Sequence, residues 1–477
     1  MLRAAAARFD LSANVGDVSG NVTKAATEAV YGAVGTTVLL LQGDDAAACL
    51  ITPNLTFISP PFSRAVRKTA GDILSINPEN VLLMYSHNHC CVMPLSKDRI
   101  DWTVEGTLKE GEALTLTKFG EQFMRSLCSA AGTLRGRLEP VSVHWGVGHE
   151  RRISYRRKGH RADGTTYFVR EEDRKLLGAD FCGDIDDDAS VVRLVGRSGR
   201  TVAWITHFSA HPVTAYHPEH PCIHPEYPGI AGNVLSGEEG APVSFLQGCC
   251  GDVNTKYMLM GEVERADQHG RWLGETFRET ARAITPSGTD RLGLLHASGA
   301  IPLAPLPSVE ELLAEKAEME DFVRRACAGD ENTLSCVGLN FPRALSPAYR
   351  AGMVEAPLSW NAWALDHHRN GTAGDMPDKL NADVCVLRLG DVGIVGMPCE
   401  PFTAIGRKIR ERSPMAMTLP CGYCNVSYGY VPDSGNVGGR EYMSAFYRYT
   451  RRPPFRAPAG DVLADAAVEA LARLRRD

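Results

Sequence analysis

Short apolar runs rich in β-branched residues recur along the chain, each bounded by glycine, proline, aspartate or asparagine. Runs of about four to eight residues with such boundaries are typical of β-strands. The pattern predicts strands within Thr37–Leu41, Ala47–Thr52, Asn80–Ser86, Val141–Trp145, Ala189–Val195, Thr201–Ser209, Pro242–Gln247, Leu292–Ser298 and Asp383–Met397.

Helical patterns lie between several of these strands. Apolar residues recur every three or four positions in Phe62–Ile76, Thr117–Leu134 and Val263–Ile284, as they do on one face of a helix. The tail, Asp461–Arg475, has the same spacing in alanine and leucine and predicts a helix that packs on the core. Alternating strands and helices predict an α/β fold with a mixed sheet and flanking helices.

The segment 300–382 differs from the rest of the chain. It opens with three prolines, and Ser308 with Glu311 forms a capping box that predicts a helix ending near residue 329. Beyond that helix, Leu334–Met376 is interrupted by proline, glycine and asparagine and is expected to be irregular. We expect one domain over 1–477, with 300–382 as an insertion or lid within it.

Composition excludes several classes of protein. The 477 residues are 44% hydrophobic and 23% charged, with a net charge of −6, which argues against a disordered chain and a nucleic-acid partner. No apolar run reaches the roughly 18 residues that span a membrane, and no secretory signal is recognisable. Without such a signal, the 14 cysteines indicate reduced thiols or metal ligands. These features favour a soluble, cytoplasmic enzyme.

The sharpest local motif ends the predicted strand over Asn80–Ser86. His87 and His89 are two positions apart, so in an extended chain both side chains face one side. Imidazole is a common ligand of zinc and similar metals. The alternative is two histidines in a polar loop.

A second pair of histidines closes the strand over Thr201–Ser209. His207 and His211 are four positions apart, which in a strand separates them by roughly 13 Å. Both therefore cannot bind one ion. One of the two is a ligand candidate and the other is structural.

Four further features carry weaker signals. The histidine-rich stretch 217–227 is expected to be a solvated loop, and Glu400 is a carboxylate at a strand end. Cys421 and Cys424 lack the second cysteine pair of a structural zinc site, so two small buried residues are the simpler interpretation. The glycine-rich turn 247–254 can bring backbone N–H groups near a substrate oxygen, and Cys250 within it is interpreted as a buried thiol.

Taken in order, these motifs resemble the catalytic domain of the neutral, non-lysosomal ceramidase family. The matching stretches are Ser86-His87-Asn88-His89, Ala210-His211-Pro212, Glu226-Tyr227-Pro228-Gly229, Gly251-Asp252-Val253-Asn254, Pro398-Cys399-Glu400-Pro401-Phe402-Thr403 and Cys424-Asn425-Val426-Ser427-Tyr428-Gly429-Tyr430. Their order extends from about residue 30 to residue 450.

The resemblance implies one catalytic zinc ion per chain. By motif position, its ligands are His87, His211, Glu400 and Tyr430. This choice assigns the ligand role to His211 rather than to His207. Iron or manganese stays open as the metal, because the same ligand types bind them.

Further residues around the reacting carbonyl are implied by the same resemblance. They are His89, Arg156 and Tyr442, and Arg156 is one of several neighbouring arginines in a loosely matched stretch. The family's serine in G-D-V-S is Asn254 here, which cannot be a nucleophile but can donate a hydrogen bond to an oxyanion. The family's Gly-Pro is Cys90-Cys91, for which packing is the first interpretation.

The leading hypothesis is a zinc-dependent hydrolase of a small soluble N-acyl amide. The chain ends without room for the family's C-terminal immunoglobulin-like domain, so a membrane-lipid substrate is not expected. Alternatives are an ester or lactone hydrolase on the same centre, a TIM-barrel amidohydrolase, and a metal- or ligand-binding homologue without catalysis. The expected partner is a small amide or ester, and the oligomeric state, including a homo-oligomer, stays open.

Overall fold

The computed structural model describes residues 1–19, 25–56, 59–94 and 114–476. In chain order its strands are β1 (Arg3–Leu11), β2 (Ala29–Val30), β3 (Val34–Gln42), β4 (Ala47–Pro53), β5 (Val81–Leu83), β6 (Glu139–His149), β7 (Ser154–Arg156), β8 (Lys158–His160), β9 (Thr166–Phe168), β10 (Asp188–Gly196), β11 (Thr201–Phe208), β12 (Cys222–Ile223), β13 (Val243–Gln247), β14 (Val253–Thr255), β15 (Thr285–Pro286), β16 (Leu292–Pro302), β17 (Ser335–Cys336), β18 (Leu339–Asn340), β19 (Lys379–Leu389), β20 (Val392–Gly396), β21 (Glu400–Pro401), β22 (Met417–Cys421) and β23 (Tyr430–Val431).

The α-helices begin where the sequence offers capping side chains. Ser59, Thr117, Ser308 and Ser346 each accept a hydrogen bond from the first turn of the helix that follows. The helices are α1 (Pro60–Leu74), α2 (Lys118–Leu134), α3 (Glu171–Leu177), α4 (Glu226–Ser236), α5 (Val263–Ala281), α6 (Val309–Cys327), α7 (Pro347–Arg369), α8 (Thr403–Arg412) and α9 (Asp461–Arg476). None of them is long and apolar enough to cross a membrane.

Two sheets form the centre of the fold. The larger has the order β13-β11-β10-β6-β1-β3-β4-β5, with β15 paired to β6, and the smaller has the order β16-β19-β20-β22. Both contain parallel and antiparallel pairs, so the predicted mixed α/β fold is confirmed.

Alternate side chains of the central strands enter different cores, as the period of a strand requires. In β3, Leu39 and Leu41 pack between the two sheets with Leu387 and Ile394 of the smaller sheet. Val38 and Leu40 face the opposite side, where the core also contains residues of α1, α2, α4 and α5. Residues of α8 and α9 cover the outer face of the smaller sheet. The order of layers is therefore helices, sheet, sheet, helices.

Two elements differ from the sequence prediction. The apolar run Asp383–Met397 is not one strand but the antiparallel pair β19 and β20, which turns at Gly390. Gly390 has φ +63, and a Cβ there would lie 2.8 Å from Thr289 O. The stretch Leu334–Met376 is not irregular, because α7 occupies its second half with Pro347 in the first turn and Pro357 inside the helix. The prolines that indicated irregular chain are accommodated by that helix.

The segment 300–382 leaves and rejoins the smaller sheet at neighbouring strands. Pro302 of β16 pairs with Lys379 of β19, so the residues between them form one excursion from a paired edge. Within it, α6, α7 and the pair β17–β18 share a hydrophobic cluster of their own. The interpretation of residues 300–382 as an insertion within a single domain stays a prediction.

Curling of the larger sheet brings distant strands together. β5 and β13 are at opposite ends of the pairing order, yet the Thr37 hydroxyl of β3 donates a hydrogen bond of 2.7 Å to Val243 O of β13. The loops after β5, β11 and β13 consequently meet at one place. The candidate site lies there.

Candidate metal centre

His87 lies in the loop after β5 and is almost fully buried. Its φ is +63, a left-handed conformation that histidine adopts more readily than most residues. The chain is therefore turned here rather than extended, and the turn brings Nε2 of His89 to 3.2 Å from Nε2 of His87. The two imidazoles do face a common centre, although not through the strand geometry that the sequence indicated.

His211 follows β11 and faces the same centre, with its ring centroid 4.8 Å from that of His87. His207, four residues earlier, lies elsewhere, since its Nε2 is 3.0 Å from Pro420 O. Burial lowers the pKa of His207 to about 4, so it is a neutral core histidine. The structure thus brings His211, and not His207, to the centre.

Glu400 of β21 completes a group of three close ligand atoms. Its Oε2 lies 3.0 Å from Nε2 of His211 and 3.3 Å from Nε2 of His87. All three side chains are buried, and these atoms lie within 4.8 Å of one another. Two imidazole nitrogens and a carboxylate oxygen form a ligand set that zinc prefers.

Hydrogen bonds on the far side of each imidazole set the tautomers. Nδ1 of His87 lies 2.8 Å from Thr56 O, and Nδ1 of His211 lies 3.1 Å from Val253 O. A carbonyl oxygen only accepts, so Nδ1 carries a proton in both rings and Nε2 is the nitrogen that faces the centre. Backbone carbonyls orient metal-binding histidines in this way. The residues therefore fit a bound cation.

The electrostatic environment lowers the pKa of two of these three residues, His211 and Glu400. Burial, followed by the charge of Arg157, lowers the pKa of His211 to about 3. Burial alone would raise the pKa of Glu400, but the two histidines outweigh it and hold that pKa well below its usual value. A buried carboxylate beside two imidazole nitrogens forms an electronegative group that a bound cation would stabilise.

Tyr430 reaches the same centre from β23, which pairs in parallel with β21 so that Tyr430 lies beside Glu400. Its hydroxyl is 3.2 Å from Nε2 of His211. Burial raises the pKa of the phenol well above its usual value, while the neighbouring Arg157 lowers it. A cation at bonding distance would act in the same direction as Arg157.

Arg156 does not lie at this centre, and the role that the resemblance implies for it stays a prediction. It forms ion pairs of 3.3 Å with Asp184 and with Asp252. Arg157 occupies the expected position instead: it is buried, its Nη2 donates to Gly251 O at 2.8 Å, and the same atom lies 3.3 Å from Nε2 of His211. Neighbouring side chains of an extended segment point in opposite directions, so a shift of one residue in the match exchanges the two arginines.

A cavity of about 120 Å³ opens onto this group. The remaining predicted residues, His89, Tyr442 and Asn254, all line it. The amide of Asn254 donates to Met258 Sδ, and its Oδ1 is buried without a partner among the described residues. The ring of Tyr442 lies 5.5 Å from that of Tyr430. His211 and Tyr430 line it as well, so these polar residues share the cavity with two of the four predicted ligands.

Tyr423 is a residue of the site that the sequence did not reveal. Its ring stacks on His87 with centroids 4.4 Å apart, and its hydroxyl is 3.5 Å from both His211 Nε2 and Glu400 Oε2. It does not line the cavity and therefore closes the centre from behind. Tyr423 lies between Cys421 and Cys424, whose pattern in the sequence indicates small buried residues. Both cysteines are buried, but that interpretation does not consider the tyrosine between them.

The histidine-rich stretch 217–227 is not uniformly solvated. His220 is exposed, but His224 is buried, with its Nε2 3.3 Å from Asp267. Glu226 is also buried, and its Oε1 accepts a hydrogen bond of 2.7 Å from Ala215 N. Entry into α4 at Glu226 turns these side chains inward, which spacing alone did not indicate.

The cysteines near the site pack inside the protein. Cys90 lies near Glu226, and Sγ of Cys91 lies 3.0 Å from the hydroxyl oxygen of Thr56. Cys250 lies 3.1 Å from the hydroxyl of Tyr423, and burial raises its pKa to about 12. A thiol of this kind is a poor nucleophile at neutral pH.

Comparison with known proteins extends these observations to the whole fold. No protein-family model matches the chain, and no curated protein matches it in sequence. Solved structures match: a ceramidase complexed with C2 has a TM-score of 0.64 at 15% identity, and the neutral ceramidase from Pseudomonas aeruginosa has 0.63 at 16%. Each match covers 99% of this chain and 75% of the other. The resemblance seen in the sequence is therefore confirmed for the fold, across a wide sequence divergence.

Proposed function

We propose that this protein is a metal-dependent hydrolase that cleaves the amide bond of a small N-acyl substrate. The observation that carries the proposal is the convergence of two imidazole nitrogens and one carboxylate oxygen, with one of the imidazoles, His211, lining a cavity. The ceramidase fold supports it, because ceramidases are named for cleavage of an N-acyl lipid.

His87, His211 and Glu400 would hold the metal, with Tyr430 as a fourth ligand. The nitrogen and oxygen donors favour zinc, and iron or manganese would accept the same set. When bound, the ion would polarise the substrate carbonyl and acidify a water molecule. The chain's own contribution is to fix the donors through Thr56 O and Val253 O.

His89 is the residue that we propose as general base and acid. It lines the cavity, and its Nε2 is 3.2 Å from a ligand nitrogen. Burial, followed by the neighbouring histidines, lowers the pKa of His89 well below its usual value, so the ring is neutral and can accept a proton. Returning that proton to the leaving nitrogen would complete cleavage of the C–N bond.

Arg157 and Tyr442 are proposed to stabilise the oxygen that becomes negative during the attack. Arg157 is a buried cation whose guanidinium lies 5.0 Å from the ring centre of Tyr430, and both Arg157 and Tyr442 line the cavity. Donors held rigidly in a site with little water are effective at developing charge. Asn254 adds an amide at the same end of the cavity.

We propose a reducing compartment such as the cytoplasm for this protein, on the sequence-based argument from its 14 cysteines.

Metal analysis combined with an activity panel tests the proposal. The purified protein is expected to carry about one zinc ion per chain, as four protein ligands imply. It is expected to hydrolyse N-acyl amides faster than matched esters or lactones. Preference for esters or lactones would assign the centre to that chemistry, and a metal-free protein that hydrolyses amides would refute the mechanism. Binding of zinc without turnover of any substrate would favour a non-catalytic homologue.

A further inference from the structure

The cavity at the candidate centre is small and apolar beyond its polar end. Its volume of about 120 Å³ is below the roughly 150 Å³ of a protein cavity that holds one benzene molecule. Phe168, Val213 and Met258 line it from the core of the protein. These three side chains have no group that would bind a charged or strongly polar substituent.

The 300–382 segment supplies much of the remaining wall. The lining residues from this segment are Leu339, Asn340, Phe341, Pro342, Leu345, Tyr349 and Met353. All but Asn340 and Tyr349 are apolar, and they come from β18, from the first turns of α7 and from the loop between them. The size of the cavity therefore depends on how firmly this segment is held.

Polar contacts hold the wall against the core on both sides. Asn340 donates to Phe168 O at 2.9 Å, and Arg170 donates to Phe341 O at 3.2 Å. At the start of α7, the backbone N–H of Ser346 donates to Glu219 at 2.9 Å, and its hydroxyl binds the same carboxylate. The wall is thus anchored to the body of the protein.

Arg350 ties the segment together internally. Its side chain is fully buried and donates to the carbonyls of Glu331, Thr333 and Arg343 at 3.1, 3.3 and 3.0 Å. A buried guanidinium with several backbone partners fixes the loop that it spans. These contacts are the basis on which we treat the cavity as preformed.

We propose that this cavity binds the acyl half of the substrate and admits a compact apolar group of about five carbons. Residues 339–353 set that limit, with Leu345 and Met353 as the determinants of acyl length. The inference rests on the proposed function for the identity of the bound group. It excludes the long acyl chain of a membrane lipid as the preferred substrate.

Binding of straight-chain carboxylates, from acetate to dodecanoate, to the zinc-loaded protein tests the size limit without requiring turnover. Affinity measured by calorimetry is expected to rise about fourfold for each methylene that enters the cavity. The rise is expected to stop near six carbons. A rise that continues by the same factor to dodecanoate would overturn the inference, as would affinity independent of chain length.

Two methionines of the same hydrophobic cluster give a matched pair of variants. Met353→Ala removes part of a cavity wall. The chain length at which affinity stops rising (the break) is expected to move by about two or three carbons towards longer chains. Met319 is buried in that cluster but does not line the cavity, so Met319→Ala is expected to leave the break unchanged. If both variants moved the break by the same amount, the assignment of Met353 to the cavity wall would be overturned.

Leu345→Phe provides a variant that fills the cavity instead of enlarging it. The break is expected to move to shorter carboxylates, and no movement would count against the inference. The same chain-length series of N-acyl amides then separates the two proposals. A break in carboxylate binding without amide hydrolysis would refute the proposed function while supporting the size limit, whereas hydrolysis with no preference for short acyl groups would do the reverse.

Discussion

Oε2 of Glu400 lies 3.0 Å from Nε2 of His211, although 189 residues separate them in the chain. Nδ1 of His211 donates to Val253 O, so Nε2 faces the carboxylate, whose pKa is held well below its usual value. The closeness of an imidazole nitrogen and a carboxylate oxygen, both common metal ligands, is the clearest sign that the site is built around a cation.

Replacing Glu400 by glutamine separates the role of the metal from that of the fold. The amide is expected to abolish zinc binding, because it is neutral and a weak ligand. Its N–H groups would nevertheless donate to the two imidazoles, so in the presence of a chelator the variant is expected to be more stable than the wild type, by about 1 kcal/mol.

Thermal unfolding with zinc and with chelator measures both effects. Wild-type protein is expected to lose stability on chelation, since only the folded state binds the ion. His87→Ala serves as a companion variant that removes a ligand without adding a donor. If chelation left the melting temperature of the wild type unchanged, the three residues would not form a metal site.

Arg157 and Arg156 form a matched pair for testing the oxyanion role. Arg157→Lys keeps the charge but loses the two-sided contact with Gly251 O and His211, and kcat for the amide substrate is expected to fall by about 10²–10³-fold. Arg156→Lys, at an ion pair outside the cavity, is expected to change kcat by less than about twofold. Steady-state kinetics on both variants checks this, and a larger loss for Arg156 would support the sequence-based assignment.

Removal of the Tyr423 hydroxyl is expected to weaken zinc binding about tenfold, with the acyl cavity unaffected. The hydroxyl is within 3.5 Å of two ligand atoms, so Tyr423→Phe alters the support of the ligands rather than the ligands themselves. Competition with a chromogenic chelator measures the affinity. Tyr428→Phe, at a half-buried tyrosine in the neighbouring hydrophobic cluster, is the control, and equal zinc affinities of the two variants would contradict this role.

The buried carboxyl of Glu226 is expected to make stability depend on pH. Burial raises its pKa from 4.5 to about 7, and Oε2 has no partner among the described residues. Between these values the folded state keeps a proton that the unfolded state releases. Stability is therefore expected to fall as the pH rises from about 4.5 to about 7, by about 3 kcal/mol in total.

Glu226→Gln is expected to remove this dependence, because an amide does not titrate. Denaturant unfolding at pH 5, 6, 7 and 8 compares the variant with the wild type and with Glu262→Gln at an exposed position. The control is expected to keep the wild-type slope. A wild type whose stability rises over the same pH range would contradict the assignment.

Local patterns predicted most of the secondary structure because each element is determined by nearby residues. The strand over Thr37–Leu41 and the helix opened by Ser308 and Glu311 both occur as expected. The pattern did not reveal α7, whose apolar residues are spread around the helix and whose partners lie in α6 and in the segment 446–449. A helix stabilised by such contacts on several sides lacks the one-sided periodicity that identifies it in sequence.

By itself, the sequence determined the alternation of strands and helices, the absence of a spanning run and the order of motifs that links His87, His211, Glu400 and Tyr430. Only the tertiary structure decided which arginine faces the centre, that Tyr423 closes it from behind, and how small the adjoining cavity is. The physical reason is the distance along the chain over which each effect acts. Periodicity and capping act over a few residues, whereas the direction of a side chain at a turn and the volume between distant segments are set by packing across the whole fold.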